Sequence, residues 1–385
     1  MAIVINGSGT VTGLSVGGLP DGTVDAGTLA TDSVTAAKIP ASLENTFVSG
    51  RKNLIINGAM QINQRGTTAT GGSSALHYGG CDRWRMYQEN TAIAYTLSQD
   101  SNSPDGFGSS YKIDVTTADS TLDAADRADF IYRFEGNELQ HLKKGTASAE
   151  SVTLSFWVSS PKTGTHIVEF YDLDNTRQIS KAYTVNSANT WEYKTITYAG
   201  DTTGAYGNDA NASVQISFWL MAGSNFTSGT LNTSWGSVTG ANRAVGQVNV
   251  MDSTSNNFYL TGVQLELGST ATDFEHRSYG EELALCQRYY EVITGGICTG
   301  TVKSSTAADA AFQPKVNKRA TPSISVSGTF YANDGSAQQT ASLSSSSSTT
   351  DGIIITVGFS SLNTGRACFI YTPSVDHKLI ADAEL

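Results

Sequence analysis

The chain has 385 residues, of which 15% are charged, and a formal net charge of −11. Ordinary globular proteins carry roughly 25% charged residues; here Gly, Ser, Thr and Asn make up the difference. This balance argues against sequence-independent nucleic-acid binding, which needs clustered Lys and Arg against phosphate. No apolar run reaches the roughly 18 residues of a membrane span, so no membrane insertion is expected. MAIVINGSG lacks the basic n-region of a signal peptide.

In residues 1–50 large apolar residues recur every five positions, at Leu14, Leu19, Val24, Leu29, Val34 and Ile39. DGTVDAGTLA and TDSVTAAKIP are near-copies offset by ten. A period of five fits neither helix nor strand, and one apolar residue per repeat builds no core within a single chain. Copies running side by side bring these positions to a common axis. The segment therefore reads as a slender oligomeric stem, with a disordered Gly/Thr-rich leader as the alternative.

Residues 51–80 read as a linker with a short strand, NLII, broken at Asn57-Gly58. From Cys81 to Arg277 short alternating strands are separated by Gly/Asn/Asp/Ser clusters, the signature of an antiparallel β-sandwich. VTLSFWV (152–158) and VQISFWL (214–220) repeat one pattern, which puts Phe156 and Phe218 inside and Trp157 and Trp219 on the opposite face. Val263, Leu265 and Leu267 alternate with Gln264 and Glu266 in a further strand. Ser278-Tyr279-Gly280-Glu281 then has the form of a capping box opening a connecting helix over 278–293. Leu283, Cys286 and Tyr290 share one face of that helix. Residues 294–385 form a small C-terminal β-domain, with ASLSSSSSTT (341–350) as a low-complexity loop. The fold class is all-β.

The four cysteines are far apart and read as reduced and mostly buried thiols. No G-x-S-x-G, H-E-x-x-H or Walker A occurs. The histidines fall at no ligand spacing, so no metal or cofactor is expected. Asp172 and Asp174, in YDLDN, are the best-paired carboxylates, about 7 Å apart if extended. They read as a hairpin turn, with part of a Ca²⁺ site or an acidic catalytic pair as alternatives. Aromatics in polar loops are candidate ligand-binding residues: Tyr206, Phe226, Trp235, Phe330 and Tyr331, with Asn333 and Asp334 beside them.

NLIINGAMQINQRG, CDRW, VTLSFWV and FYLTGVQLELGSTATDFEHRSYGEELALCQRYYEV together resemble the tail-fibre or receptor-binding proteins of tailed bacteriophages, marine and cyanobacterial ones in particular, over residues 51–292. GEELALCQRYY is the most specific part. VQLELGSTATDFE also resembles the closing strand of jelly-roll carbohydrate-binding modules. DGTVDAGTLATDSVTAAKI is similar to repeats near the attachment ends of such fibres, and the region from ATPSISV to ADAEL to their variable tips.

The resemblance implies a homotrimer on the virion, assembled in the host cytoplasm and docked through its N-terminus to other tail or baseplate proteins. Its implied task is adhesion to a host-surface glycan or protein without catalysis. Leu283, Cys286 and Tyr290 would then form a three-helix contact. The chain departs from the family in lacking a long β-helix or coiled-coil shaft and a recognisable C-terminal autoproteolytic or chaperone domain. A tail adaptor and a host polysaccharide depolymerase are the alternative functions.

Overall fold

The computed structural model describes residues 51–71 and 75–385, together with Val4–Ile5 (β1) and Val11–Thr12 (β2). These first two strands pair antiparallel. The stem positions Leu14, Leu19, Val24, Leu29, Val34 and Ile39 lie outside the described residues. Residues 1–50 and 51–385 are separate compact units.

In the second unit the strands run β3 (Thr68–Gly71), β4 (Ala75–Tyr78), β5 (Arg85–Glu89), β6 (Ala94–Asp100), β7 (Ser110–Thr117), β8 (Arg127–Glu135) and β9 (Val152–Ser159). There follow β10 (Gly164–Asp172), β11 (Arg177–Val185), β12 (Glu192–Tyr198), β13 (Ala212–Ala222), the short helix α1 (Ser224–Thr227), β14 (Gly236–Ser237) and β15 (Asn257–Leu267). Two antiparallel sheets result. One has the order β14-β11-β10-β13-β8-β5-β4 and the other β12-β9-β15-β7-β6-β3.

Alternation puts Val152, Leu154, Phe156 and Val158 of β9 against Val214, Ile216, Phe218 and Leu220 of β13, all buried. Phe156 and Phe218 meet edge to face at 5.1 Å, as their spacing predicts. Trp84 packs on Phe130 and Tyr132, each at 5.0 Å, and closes the middle of this core.

Residues 51–65 are not a linker and hold no strand. Ile55, Met60 and Ile62 are fully buried in the sandwich core. A buried irregular segment must satisfy its backbone from side chains. Here Asn53 and Asn57 bridge to Ile55 and Ile62, the Tyr132 hydroxyl accepts from Ile56 N, and Glu275 accepts from Lys52 N and Asn53 N. Position 58 must be glycine, because a Cβ there would lie 2.1 Å from the Val263 carbonyl.

Helix α2 spans Tyr279–Gln287 and starts as predicted, with the Ser278 hydroxyl accepting from Glu281 N at 3.4 Å. The reciprocal half of the box is replaced by an ion pair between Glu281 and Arg51. The helix stops earlier than expected, and Tyr290 begins a strand, β16 (Tyr290–Ile293). Cys286 and Tyr290 are buried within their own chain, while Leu283 packs partly buried against the sandwich core. Cys286 thus belongs to the sandwich core and Tyr290 is covered by Arg65, so neither is a surface position for a three-helix contact.

Eight strands follow β16: β17 (Gly296–Ser304), β18 (Ala307–Phe312), β19 (Ser323–Ser327), β20 (Phe330–Asn333), β21 (Gln338–Ser348), β22 (Ile353–Gly358), β23 (Ala367–Tyr371) and β24 (Lys378–Asp382). β17-β18-β22-β21-β20-β23 close into a barrel, and β16-β24-β19 form a small sheet. The Ser-rich stretch expected as a loop is therefore mostly strand β21, paired to β20 and β22. Ladder hydrogen bonds come from the backbone and need no apolar side chain. Three of the four cysteines are buried and all are free thiols.

Asp82 lies where the buried segment meets the first strands, fully buried and accepting from Gln64 N and Nε2. Burial raises its carboxyl to about 7 despite the Gln64 bonds and Arg65. A raised folded value gives stability that is present below the ordinary carboxyl range and lost as pH rises through about 7. The melting temperature of Asp82→Asn relative to the wild type should therefore climb between about pH 5 and pH 8. A difference that stays constant over that range contradicts this.

Candidate functional site

The loop candidates do not converge. Tyr206 and Trp235 do meet, over the Lys144 ammonium at 5.1 and 5.8 Å. Both are half-buried, and the Trp235 indole donates to the Ala199 carbonyl at 2.7 Å. Lys144 bonds Asp172 at 2.7 Å and Asp201 at 3.2 Å, so this cluster is a sealed ionic clamp around a cavity of about 20 Å³.

Asp172 also accepts from Asp174 N, Asn175 N and the Asn175 side-chain amide. It staples the β10–β11 hairpin, as the turn reading of YDLDN has it. Asp174 accepts from Gly207 N at 2.8 Å. Asp172 is thus committed to the turn and to Lys144, while Asp174 stays exposed. Among the described residues no three His, Cys, Asp or Glu side chains converge as metal ligands.

Phe226 packs on Trp219 at 5.4 Å, and with Leu231 covers a small cluster of Ile167, Ala222 and Ala244. That cluster is what buries Trp219. Phe330 is buried inside the barrel, which removes it as a ligand contact. Asp334 is a turn staple: it accepts from Ser336 N, Ala337 N and Asn363 N. Asn333 accepts from Gly335 N. Tyr331 remains at the barrel surface, 5.7 Å from Tyr371, which in turn stacks on the half-exposed Phe369 at 5.6 Å.

An open groove lies elsewhere, on the outer face of the seven-stranded sheet. Paired residues on neighbouring strands share a face. One row across β11, β10, β13 and β8 therefore reads Gln178, Tyr171, Gln215 and Arg133. The next reads Ser180, Glu169, Ser217 and Ile131 and continues to Arg85 of β5. A third places Trp219, Asp129, Tyr87 and Leu76 side by side.

The excursion from α1 to Arg243 roofs the Trp219 end of this face. What stays open is a groove of about 290 Å³ lined by Tyr87, Arg127, Ile131, Arg133, Tyr171 and Gln215, with Leu76, Leu173 and Arg243 at its edges. That is the lower end of the usual range for small-molecule sites, roughly 300–1,000 Å³.

Its electrostatics are ordered. Arg127 grips Asp129 with two bonds of 2.8 and 3.1 Å. Arg243 grips Glu169 with two of 2.8 and 2.7 Å. Both guanidiniums also lie over the Trp219 ring, at 4.7 and 5.2 Å, while Tyr87 and Tyr171 each flank one of them, at 4.9 and 5.0 Å. Arg133 donates through Nε to Gln215 Oε1 at 2.9 Å, and the Gln215 amide donates to Ser217 Oγ at 2.8 Å.

The sequence reading missed all of these groove residues. The signal was present in DRWRMYQ, HIVEFYDL and VQISFWL, where Arg85, Tyr87, Tyr171 and Gln215 fall opposite the apolar face.

Fold and groove define a two-sheet β-sandwich, joined to a small barrel, with a polar and aromatic trough on the outer face of the larger sheet. No protein-family model matches the sequence, and neither does any curated protein. Among solved structures the chain is similar to a putative sugar-binding protein from Bacteroides thetaiotaomicron, at 11% identity over 56% of this chain and 100% of that one, with a TM-score of 0.31. A family 11 carbohydrate-binding module of a Clostridium thermocellum cellulosomal cellulase matches at 13% identity over 54% and 99%, TM-score 0.27. The enzymatically active domain of tailspike protein 4 of bacteriophage CBA120 matches at 14% identity over 56% of this chain, TM-score 0.27. This chain covers 21% of that tailspike.

Proposed function

We propose that this chain binds glycans without cleaving them, through the groove on the outer face of the seven-stranded sheet, and that it does so as part of a phage tail fibre that attaches the virion to its host. One observation carries the binding reading. Tyr171, Gln215 and Arg133 stand side by side on three adjacent strands, between half-buried aromatic walls. Apolar walls with a few placed polar groups are what an oriented small ligand needs, and a saccharide ring offers one flat C–H face and a rim of hydroxyls.

The non-catalytic reading follows from the carboxylates. Of the acids on this face, Asp129, Glu169 and Glu135 are each held bidentately by an arginine, which leaves Glu89, beside Tyr87 and Arg127, without an opposing acid free to act with it. A carboxylate held by an arginine has no proton to give a leaving group. The fibre role rests on the resemblance over residues 51–292. In that setting the protein is a homotrimer, docked to the tail by its first fifty residues.

The test is an array of bacterial surface oligosaccharides probed with wild type and with Tyr171→Ala. Losing one aromatic wall should weaken the best ligand about tenfold. Binding that survives this change and Gln215→Ala unaltered places the site elsewhere, and release of reducing ends from host polysaccharide overturns the non-catalytic reading.

A further inference from the structure

The groove's arginines are not equivalent. Arg127 and Arg243 are neutralised by Asp129 and Glu169. Arg133 holds only the neutral Gln215, through Nε. Among the described residues no carboxylate lies within ion-pair distance of it. Its guanidinium edge away from Gln215 is uncommitted and half-buried among the groove residues.

Arg85 adds to the positive potential from the next row. It is buried, bonds the main-chain oxygen of the last residue, Leu385, and the Tyr78 hydroxyl, and has no partner at Nε or Nη2. Among the described residues Arg133 is thus the groove arginine without an acidic partner, with Arg85 in the neighbouring row. Burial and then the Arg85 charge draw Arg133 down to about 10, so it remains protonated at neutral pH.

We infer that the groove selects an acidic saccharide, with Arg133 gripping the carboxylate of a hexuronate residue while Tyr171 and Gln215 hold the ring. This rests on the glycan reading above and specifies the ligand class of that same site. A planar guanidinium edge matches a planar carboxylate with two parallel bonds. Neutral Gln215 fixes the Arg133 plane without cancelling its charge, which a carboxylate in its place would do. The apolar edges at Leu76 and Leu173 lower the local dielectric and strengthen the pairing.

The experiment is calorimetric titration of the full chain with hexagalacturonate and with its carboxyl-reduced neutral counterpart. The acidic form should bind roughly 10- to 100-fold more tightly, the ratio expected for a hydrogen-bonded charge pair, and the gap should narrow as salt is raised. Arg133→Gln should remove the preference, so that the acidic and neutral forms bind equally, with an unchanged melting temperature as the folding control. Arg133→Lys should restore part of it, since the charge returns without the fork.

Equal binding of both forms overturns this inference and leaves the glycan reading standing. No binding of either form, with neutral glycans bound on the array, also overturns it; no binding of any saccharide overturns both readings. A preference for phosphorylated over uronate oligosaccharides overturns the assignment to a carboxylate.

Discussion

Replacing Glu384 with Ala should cost about 3–5 kcal/mol of stability, as expected when one partner of a buried ionic network is removed. Glu384 follows the last strand of the small sheet and reaches back to the sandwich. Its carboxylate bonds Arg83 at 2.6 Å and Arg65 at 2.9 Å, and all three side chains are at most 9% exposed. Arg83 lies 3.3 Å over the Tyr289 ring and Arg65 3.5 Å over that of Tyr290. Without Glu384, Arg65 keeps Asp382 at 3.7 Å, whereas Arg83, 1% exposed, keeps only the Arg133 carbonyl. The same strap is held by Arg319, which donates to the Ala383 and Glu384 carbonyls at 2.6 and 2.7 Å.

The pH dependence has a definite sign. Burial alone would raise the Glu384 carboxyl, but Arg83 and Arg65 overcome it and hold it below the ordinary range. Such a group contributes stability that is present above its unfolded value, about 4.3, and lost as pH falls below it. The gap between wild type and Glu384→Ala should therefore close in acid. Denaturant melts at about pH 7 and pH 3 measure it; a loss under about 1 kcal/mol at neutral pH refutes the account.

Lys144→Met is the second large effect, again about 3–5 kcal/mol. The Lys144 side chain is 3% exposed, and besides Asp172 and Asp201 its ammonium donates to the Thr203 and Gly204 carbonyls, each at 2.7 Å. Asp201 keeps Arg177 when the lysine is lost, through bonds of 2.7 and 3.0 Å. Asp172, fully buried, keeps only amide donors. Adding Asp172→Asn to Lys144→Met should recover part of the loss, because it removes the stranded charge. A double-mutant cycle reads this directly, and coupling within about 0.5 kcal/mol of zero contradicts the clamp.

Acid should weaken the same clamp. Burial would raise Asp201, but Arg177 and the hydrogen bonds around it bring it below its usual value. Its contribution is full above about pH 4 and falls away as pH drops through the lowered value.

Short-range order was legible where physics is local. The alternation in VTLSFWV and VQISFWL is enough to select an inner face, since successive strand residues point opposite ways. Ser278 could be read as a helix cap and YDLDN as a turn because each forms its bonds within a few residues. The all-β class and the antiparallel sandwich follow from such units repeated along the chain.

What pairs with what was decided only by the tertiary structure. Arg133, Tyr171 and Gln215 are scattered in sequence and meet because three strands adopt one register. The buried 51–65 segment looks like a linker until its backbone finds Asn53, Asn57 and Glu275. Cys286 and Tyr290 share a helical spacing on paper, yet the chain leaves the helix at Gln287 and turns both inward. Residue type and period act over one turn or one strand. Register, roofing and charge pairing act between segments far apart in the chain, and on them depends which of the many polar residues face an open groove.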